Sequence, residues 1–170
     1  MPMLNPDALL AGLGKLAVAQ AEVKDQTAFF EMAAATAETL IGHKLFTVMA
    51  FHEHSMEVER LYSNQPADYP AGGRKKKRDT EWGQQVLERG EPYIGASADD
   101  IRRHFDDHEV IFRLGLESIL NMPIKVGGRT IGTMNLLHVA NYYSDKDLAA
   151  AQLIAGLMAG RMARGEQGQG

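Results

Sequence analysis

The chain has 170 residues, of which 45% are hydrophobic and 24% charged, a size and composition typical of one globular domain rather than a disordered segment. Its formal net charge of −4 argues against nucleic acid as the main partner, because phosphate binding normally requires a basic surface. The complete absence of cysteine excludes disulfides, thiolate zinc sites, thiol nucleophiles and thioether attachment of a chromophore.

Two amphipathic helices are predicted at the start of the chain. Asn5 or Asp7 can cap a first helix that runs to about Val23. A second helix is predicted from about Gln26 to Ile41, and Gly42 stands where a helix stop is expected. The first helix carries one apolar stripe at three-to-four spacing, formed by Leu9, Leu10, Leu13, Leu16 and Val18.

The next segments change to strand character. His43 to Glu53 is rich in aromatic and β-branched residues and predicts a largely buried strand, with Val58 to Asn64 as its hairpin partner. Gln65 to Asp79 predicts a long loop that contains five consecutive basic residues, Arg74 to Arg78. Such a run is usually a solvated loop, and the alternatives are attraction of an acidic ligand, nucleic acid or a partner protein.

Short elements and a hairpin complete the chain. Thr80 can cap a short helix through Arg89, and a tight hairpin turns at Gly127 and Gly128. Ser144 begins a capped final helix. The remaining predicted elements are a short strand at 92–96, two brief helices at 97–105 and 108–114, and the hairpin strands at 118–126 and 130–139.

This order of elements resembles the GAF domain family. The most specific part is 122–158, MPIKVGGRTIGTMNLLHVANYYSDKDLAAAQLIAGLM, which is similar to the family's carboxyl-terminal block. The resemblance implies an α+β fold in α/β/α layers. It implies a six-stranded antiparallel sheet with the terminal helices on one face and a ligand pocket under loops and short helices on the other. We therefore divide the chain into an N-terminal helix and candidate dimer contact at 1–23, a GAF-like domain at 24–163 and a flexible tail at 164–170.

Several branches of that family are excluded by residues that this chain lacks. The branch that reduces free methionine sulfoxide uses cysteines, and bilin-binding relatives often attach their pigment through a cysteine. The asparagine-lysine and phenylalanine-aspartate-glutamate motif of cyclic-nucleotide-binding relatives is also absent. The resemblance therefore implies a small-molecule binder with an unassigned ligand and no cofactor.

The expected register of the final hairpin places polar residues on the pocket face. With Gly127 and Gly128 as the turn, Val126 should face Arg129, and the pairing should continue back as Met122 with Thr133 and Leu120 with Asn135. This register puts three polar residues on the face assigned to the pocket. They are Ser118, Thr133 and Asn135. The alternative is that these side chains satisfy only local backbone groups.

Further candidate ligand contacts lie on the preceding segments. Arg60 and Tyr62 should share a strand face, where the arginine either meets an anionic ligand or is an exposed edge residue. Tyr69 and Arg74 would lie over the pocket mouth. Trp82 and Tyr93 could form flat apolar walls, although core packing is the main alternative for the tryptophan.

Histidines provide weaker alternatives. His52 and His54 have a spacing that suits a metal on a strand, but they lack a third ligand and exposed strand-end residues are the simpler interpretation. His104 or His108 could act as an acid–base group, or the cluster around them could link two short helices. No metal site and no catalytic residue is predicted.

Three functions therefore remain open from the sequence. The first is a small-molecule sensor that signals through a homodimer or a partner protein. The second is an enzyme that combines a His/carboxylate pair with Arg60 or Arg74 as anchor, and the third is a structural dimerisation module. We expect a cytoplasmic protein without membrane or nucleic-acid partners, because no apolar stretch approaches a membrane span and no leader precedes the first helix.

Overall fold

The computed structural model describes the backbone of residues 5–167 and the side chains of residues 5–163, and it places six strands between helices. The helices among these residues are α1 (Pro6–Glu22), α2 (Gln26–Leu40), α3 (Ala98–His104), α4 (His108–Arg113) and α5 (Leu148–Gln167), with a π-helical turn at Gly83–Glu88. The strands are β1 (Leu45–His52), β2 (Glu57–Ser63), β3 (Arg74–Lys76), β4 (Tyr93–Gly95), β5 (Ser118–Val126) and β6 (Arg129–His138).

The strands form one antiparallel sheet in the order β3-β2-β1-β6-β5-β4. Helices α1, α2 and α5 cover one face, where Phe29, Phe30, Phe46 and Met134 are almost completely buried. Loops, α3 and α4 cover the other face around a smaller cluster that includes Ile111. The predicted α+β architecture with a six-stranded antiparallel sheet is therefore confirmed.

The first helix begins at Asn5, one of its two predicted caps, and the second begins at Asp25, a cap that was not predicted. Asn5 Oδ1 accepts a hydrogen bond from the Asp7 N–H at 2.8 Å, and Asp25 Oδ2 accepts one from the Ala28 N–H at 2.9 Å. These bonds satisfy donors that have no partner within the helix. Gly42 follows α2 with φ of +107°, a conformation that glycine adopts without strain.

A β-bulge separates Tyr62 from Arg60 and corrects the expectation that they share a face. Val48 pairs with Tyr62, but the next residue, Met49, pairs with Arg60, so Leu61 is an extra residue on β2. The Tyr62 ring therefore packs on the helical side, with its centroid 6.0 Å from that of Phe30. Arg60 points to the opposite side of the sheet.

A second bulge corrects the predicted register of the β5–β6 hairpin. Val126 pairs with Arg129 as expected, but pairing jumps from Lys125–Thr130 to Ile124–Gly132 and leaves one extra residue on β6. Beyond this point Asn121, rather than Leu120, faces Asn135. Ser118 shares its face with the buried Leu120 of the helix-side core, so it lies away from the face assigned to the pocket.

The basic segment is also more ordered than the predicted loop. Arg74–Lys76 form the edge strand β3, which pairs with β2 from Glu57 to Glu59. Positive charge on an edge strand discourages pairing with other chains.

At the other end of the chain, α5 continues to Gln167 and so includes part of the predicted tail, whose last residues 168–170 lie outside the described part. Within residues 5–167, no helix is both long enough and apolar enough to cross a membrane.

We expect that replacing Gly132 with alanine destabilises the sheet at the second bulge. A Cβ atom at this position would lie 2.3 Å from the Met49 carbonyl oxygen on the neighbouring central strand. Backbone cannot retreat as a flexible side chain does, so the free energy of unfolding should fall by about 1–3 kcal/mol. Urea denaturation measures this change.

Gly156→Ala provides the control. Gly156 lies in α5, where an added Cβ atom would have no neighbour within 4 Å, and alanine there should stabilise the helix by about 0.5–1 kcal/mol. If Gly132→Ala were as stable as the natural chain, the close approach of β6 to β1 would be wrong.

Candidate functional site

A cavity of about 50 Å³ lies between the sheet face opposite the terminal helices and the loops that cover it. Strands β1, β2, β5 and β6 form its floor. The 65–79 segment, the turn before the π-helix and the junction between α3 and α4 form its roof. Its apolar lining includes Leu45, Met49, Val58, Trp82, Phe105, Ile111, Ile119 and Leu137, and its polar lining consists of Thr47, Arg60, Tyr69, Lys75, Lys77, Asp107, Asn121 and Asn135.

The floor of the cavity contains a continuous chain of buried hydrogen bonds. Trp82 Nε1 donates to Asn121 Oδ1 at 2.9 Å, and Asn121 Nδ2 donates to Asn135 Oδ1 at 2.7 Å. Asn135 Nδ2 then donates to the Thr47 and Thr133 hydroxyl oxygens at 3.1 and 3.2 Å. Both amides have partners on oxygen and nitrogen, which fixes their orientation. The chain ties the roof residue Trp82 to three strands of the sheet.

Arg60 is the first of two cations at the cavity that have no carboxylate partner among the side chains of residues 5–163. Its Nη1 donates to the Pro70 carbonyl oxygen at 3.0 Å, and its guanidinium carbon lies 4.7 Å from the centroid of the Tyr69 ring. Its Nε is buried and makes no hydrogen bond to the described residues. Burial lowers the pKa of Arg60, and the nearby Asp107 opposes that shift. The guanidinium nevertheless stays charged, because its ordinary pKa is so high.

Lys77 is the second such cation. Its Nζ lies 5.3 Å from the centroid of the Trp82 ring and 5.6 Å from that of Phe105. Burial lowers the pKa of Lys77, and the neighbouring Lys75 lowers it further. Aromatic faces thus take the place of a carboxylate beside this ammonium group.

The roof also carries one carboxylate and one buried phenol. Asp107 Oδ1 lies 3.6 Å from Lys75 Nζ, and both side chains are partly exposed. The Tyr69 hydroxyl is buried next to the Asp107 carboxylate. Burial and the adjacent Asp107 raise the pKa of Tyr69, so the phenol stays protonated at neutral pH.

The residues predicted as ligand contacts fall into three groups. Arg60, Tyr69, Trp82 and Asn135 line the cavity, and Thr133 belongs to the hydrogen-bond chain beneath it. Two lie beside the cavity without lining it. They are Tyr93, whose ring packs edge-on against His104, and Arg74, whose Nη2 contacts Glu59 Oε1 at 3.1 Å. Tyr62 and Ser118 lie on the helical side of the sheet because of the bulges.

Sequence reasoning misses several cavity residues. The register error places Asn121 on the wrong face, although an amide within the apolar strand SILNMPIKV is a usable signal. Lys77 is hidden in a run of five basic residues, and nothing in the sequence distinguishes it from its neighbours. Thr47 and Asp107 are likewise absent from the predicted contacts.

The histidine alternatives find little support in the geometry. His52 Nε2 contacts Glu59 Oε1 at 2.8 Å, whereas His54 lies in the turn after β1. His108 Nδ1 contacts the Phe105 carbonyl oxygen, as expected for a residue linking two short helices, and neither His104 nor His108 lines the cavity. Among residues 5–167 no group of three histidine or carboxylate side chains could hold a metal.

Comparison with known proteins agrees with this architecture. A family model described as GAF domain matches residues 23–162. No curated protein matches the chain. Because the structural matches have low sequence identities, they show the fold alone.

Three solved structures illustrate the likeness. The GAF domain of a phosphoenolpyruvate-protein phosphotransferase from Coxiella burnetii has a TM-score of 0.79 and 16% identity, over 98% of this chain and 99% of that one. The corresponding domain from Acinetobacter has a TM-score of 0.77 and 12% identity, over 98% and 99%. The free methionine-R-sulfoxide reductase of Neisseria meningitidis has a TM-score of 0.67 and 14% identity, over 97% and 95%.

Proposed function

We propose that this chain, which belongs to the GAF domain family of ligand-binding sensory and regulatory modules, binds a small anionic molecule in the cavity and releases it unchanged. The carrying observation is the pair of cavity cations, Arg60 and Lys77, that have no carboxylate partner among the described residues. A buried donor without an acceptor costs about 1–3 kcal/mol, and an oxyanion beside Arg60 would remove that cost. A guanidinium fork also matches the geometry of a carboxylate or phosphate.

The dimensions of the cavity favour a small ligand. A volume of about 50 Å³ accommodates a few water molecules, so a compound of two or three carbons needs only modest movement of the roof. Larger compounds require the 65–79 segment to move outward. Since Tyr69 and Lys77 lie on that segment and Trp82 follows it, ligand binding would shift the roof relative to the sheet.

Native mass spectrometry of freshly purified protein tests the proposal first, because a tightly bound compound adds its own mass to the chain. A thermal-shift panel of acetate, glyoxylate, pyruvate, lactate and phosphate follows. A compound at 100 times its dissociation constant should stabilise the protein by about 2.7 kcal/mol. If no anion bound and no compound copurified, the proposal would be wrong.

We also propose that the protein forms a homodimer through the terminal helices. Leu10 and Val18 on α1 are 72% and 56% exposed, and Leu153 on α5 is 49% exposed. Apolar side chains at this exposure are buried when two helices pack across a two-fold axis. Light scattering at micromolar concentration should therefore give twice the chain mass.

Val18→Glu should shift that mass toward the monomer, because it places a carboxylate in the expected interface. Val126→Glu, at the exposed tip of the β5–β6 hairpin, is the matched control and should remain dimeric. A monomeric natural chain, or equal behaviour of the two variants, would contradict this dimer.

A further inference from the structure

Lys77 differs from the other basic residues of its segment in both position and surroundings. Arg74 and Lys75 are largely exposed and contact Glu59 and Asp107, respectively. The Lys77 ammonium instead lies over two aromatic rings at the cavity. With the side chains of residues 5–163 its Nζ makes neither an ion pair nor a hydrogen bond.

The backbone holds Lys77 firmly in this place. Its N–H donates to the Met56 carbonyl oxygen at 2.8 Å, and its carbonyl oxygen accepts from Thr80 Oγ1 at 2.8 Å. Gly83 packs so closely that a Cβ there would lie 2.3 Å from the Lys77 carbonyl oxygen. The side chain therefore extends into the cavity from an anchored position rather than from a free loop.

The position of Lys77 at the cavity, over two aromatic rings and without a carboxylate partner, suits a nucleophile. Burial and the nearby Lys75 lower the pKa of Lys77, which increases the neutral fraction, while Asp106 and Asp107 oppose the shift. Only the neutral amine carries the electron pair that attacks a carbonyl carbon. Lysines that form Schiff bases are desolvated in this way.

We propose that Lys77 captures a small 2-oxo acid or aldehyde acid as a reversible imine, with Arg60 holding its carboxylate. This inference rests on the proposed function, because Arg60 must first bind the anionic end of the compound. The neutral Nζ forms a bond to the carbonyl carbon, and the carbonyl π electrons move to the oxygen. The nitrogen loses its two protons and the carbonyl oxygen departs with them as water, leaving a C=N bond. Hydrolysis reverses every step, so no oxidant or reductant is consumed.

Reductive trapping tests this capture on the full chain. Glyoxylate is added with sodium cyanoborohydride, which reduces an imine to a stable secondary amine, and peptide mapping locates the resulting carboxymethyl group. We expect modification at Lys77 at least about tenfold faster than at the exposed Lys76, because the cavity orients the carbonyl beside the amine. Equal labelling of the two lysines would overturn the inference.

Two readouts separate this inference from the proposed function. Lys77→Arg cannot form an imine, so it should lose the fast labelling, whereas the thermal midpoint of the natural chain with glyoxylate and without reductant reports binding of the anion. Lys76→Arg is the matched control and should label like the natural chain. If glyoxylate stabilised the natural protein without any fast adduct, the cavity would bind anions but Lys77 would not capture them. If glyoxylate neither stabilised nor labelled the protein, the proposed capture by Lys77 would be wrong. The proposed function would then be tested separately with the other anions of the thermal-shift panel.

Discussion

We expect Arg60→Met to weaken binding by about 30-fold or more, measured with the anion that stabilises the natural protein most in the thermal-shift panel. Truncating one member of a buried hydrogen-bonded charge pair typically costs at least about 2 kcal/mol, which corresponds to that factor. The unliganded protein should lose little stability, because the only hydrogen bond from the Arg60 side chain to the described residues is to Pro70, and its Nε already lacks an acceptor. Titration calorimetry gives the affinity, and urea denaturation gives the stability.

Two further arginine variants make the result specific. Arg60→Lys retains the charge but loses the planar fork, so its affinity should lie between those of the natural chain and Arg60→Met. Arg89→Met removes an exposed arginine that contacts Glu91 at 3.4 Å and should bind as the natural chain does. If Arg60→Met kept full affinity, the anion would have to bind elsewhere.

The layered fold could be predicted because its signals are local. Apolar periodicity places α1 and α2, a capping residue places the start of α1, and two glycines place the β5–β6 turn. All of these depend on residues within a few positions of one another. The structure therefore agrees with the predicted order of elements, while adding the short edge strand β3 within the basic segment.

The candidate site was only partly predictable. The residues that were assigned to the wrong face of the sheet were misplaced because of two β-bulges. A strand alternates faces at every residue, so one extra residue reverses every assignment beyond it. The extra residue Leu61 places Tyr62 on the helical side of the sheet. The bulge beside Gly132 places Asn121 on the cavity side and Ser118 on the helical side. The bulge at Leu61 has no sequence signature, whereas the glycine at 132 inside an otherwise regular strand is a usable signal for the second bulge.

Lys77 illustrates a different limit of sequence analysis. Along the chain, Trp82 lies 5 positions and Phe105 lies 28 positions after Lys77. Only the folded roof brings the three residues together. Composition alone indicates a solvated basic run. The feature that distinguishes Lys77 is burial, which depends on contacts rather than on local pattern.

Asn121→Leu should destabilise the protein by roughly 2–6 kcal/mol, because it leaves two buried groups without partners, each costing about 1–3 kcal/mol. The groups are Trp82 Nε1 and Asn135 Oδ1, which Asn121 contacts at 2.9 and 2.7 Å. Leucine has nearly the shape of asparagine, so loss of hydrogen bonds rather than of packing dominates the change. Urea denaturation measures the loss.

A double-mutant cycle with Trp82→Phe identifies the cause. Phenylalanine removes the indole N–H, so Asn121→Leu in that background no longer leaves an unpaired donor at Trp82. The double variant should therefore lose less stability than the sum of the single variants, by an amount in the range of about 0.5–3 kcal/mol found for contacting residues. Strict additivity would mean that the two side chains do not interact. Packing would then hold the Trp82 part of the roof to the sheet, and ligand binding could displace it without losing a stabilising hydrogen bond to Asn121.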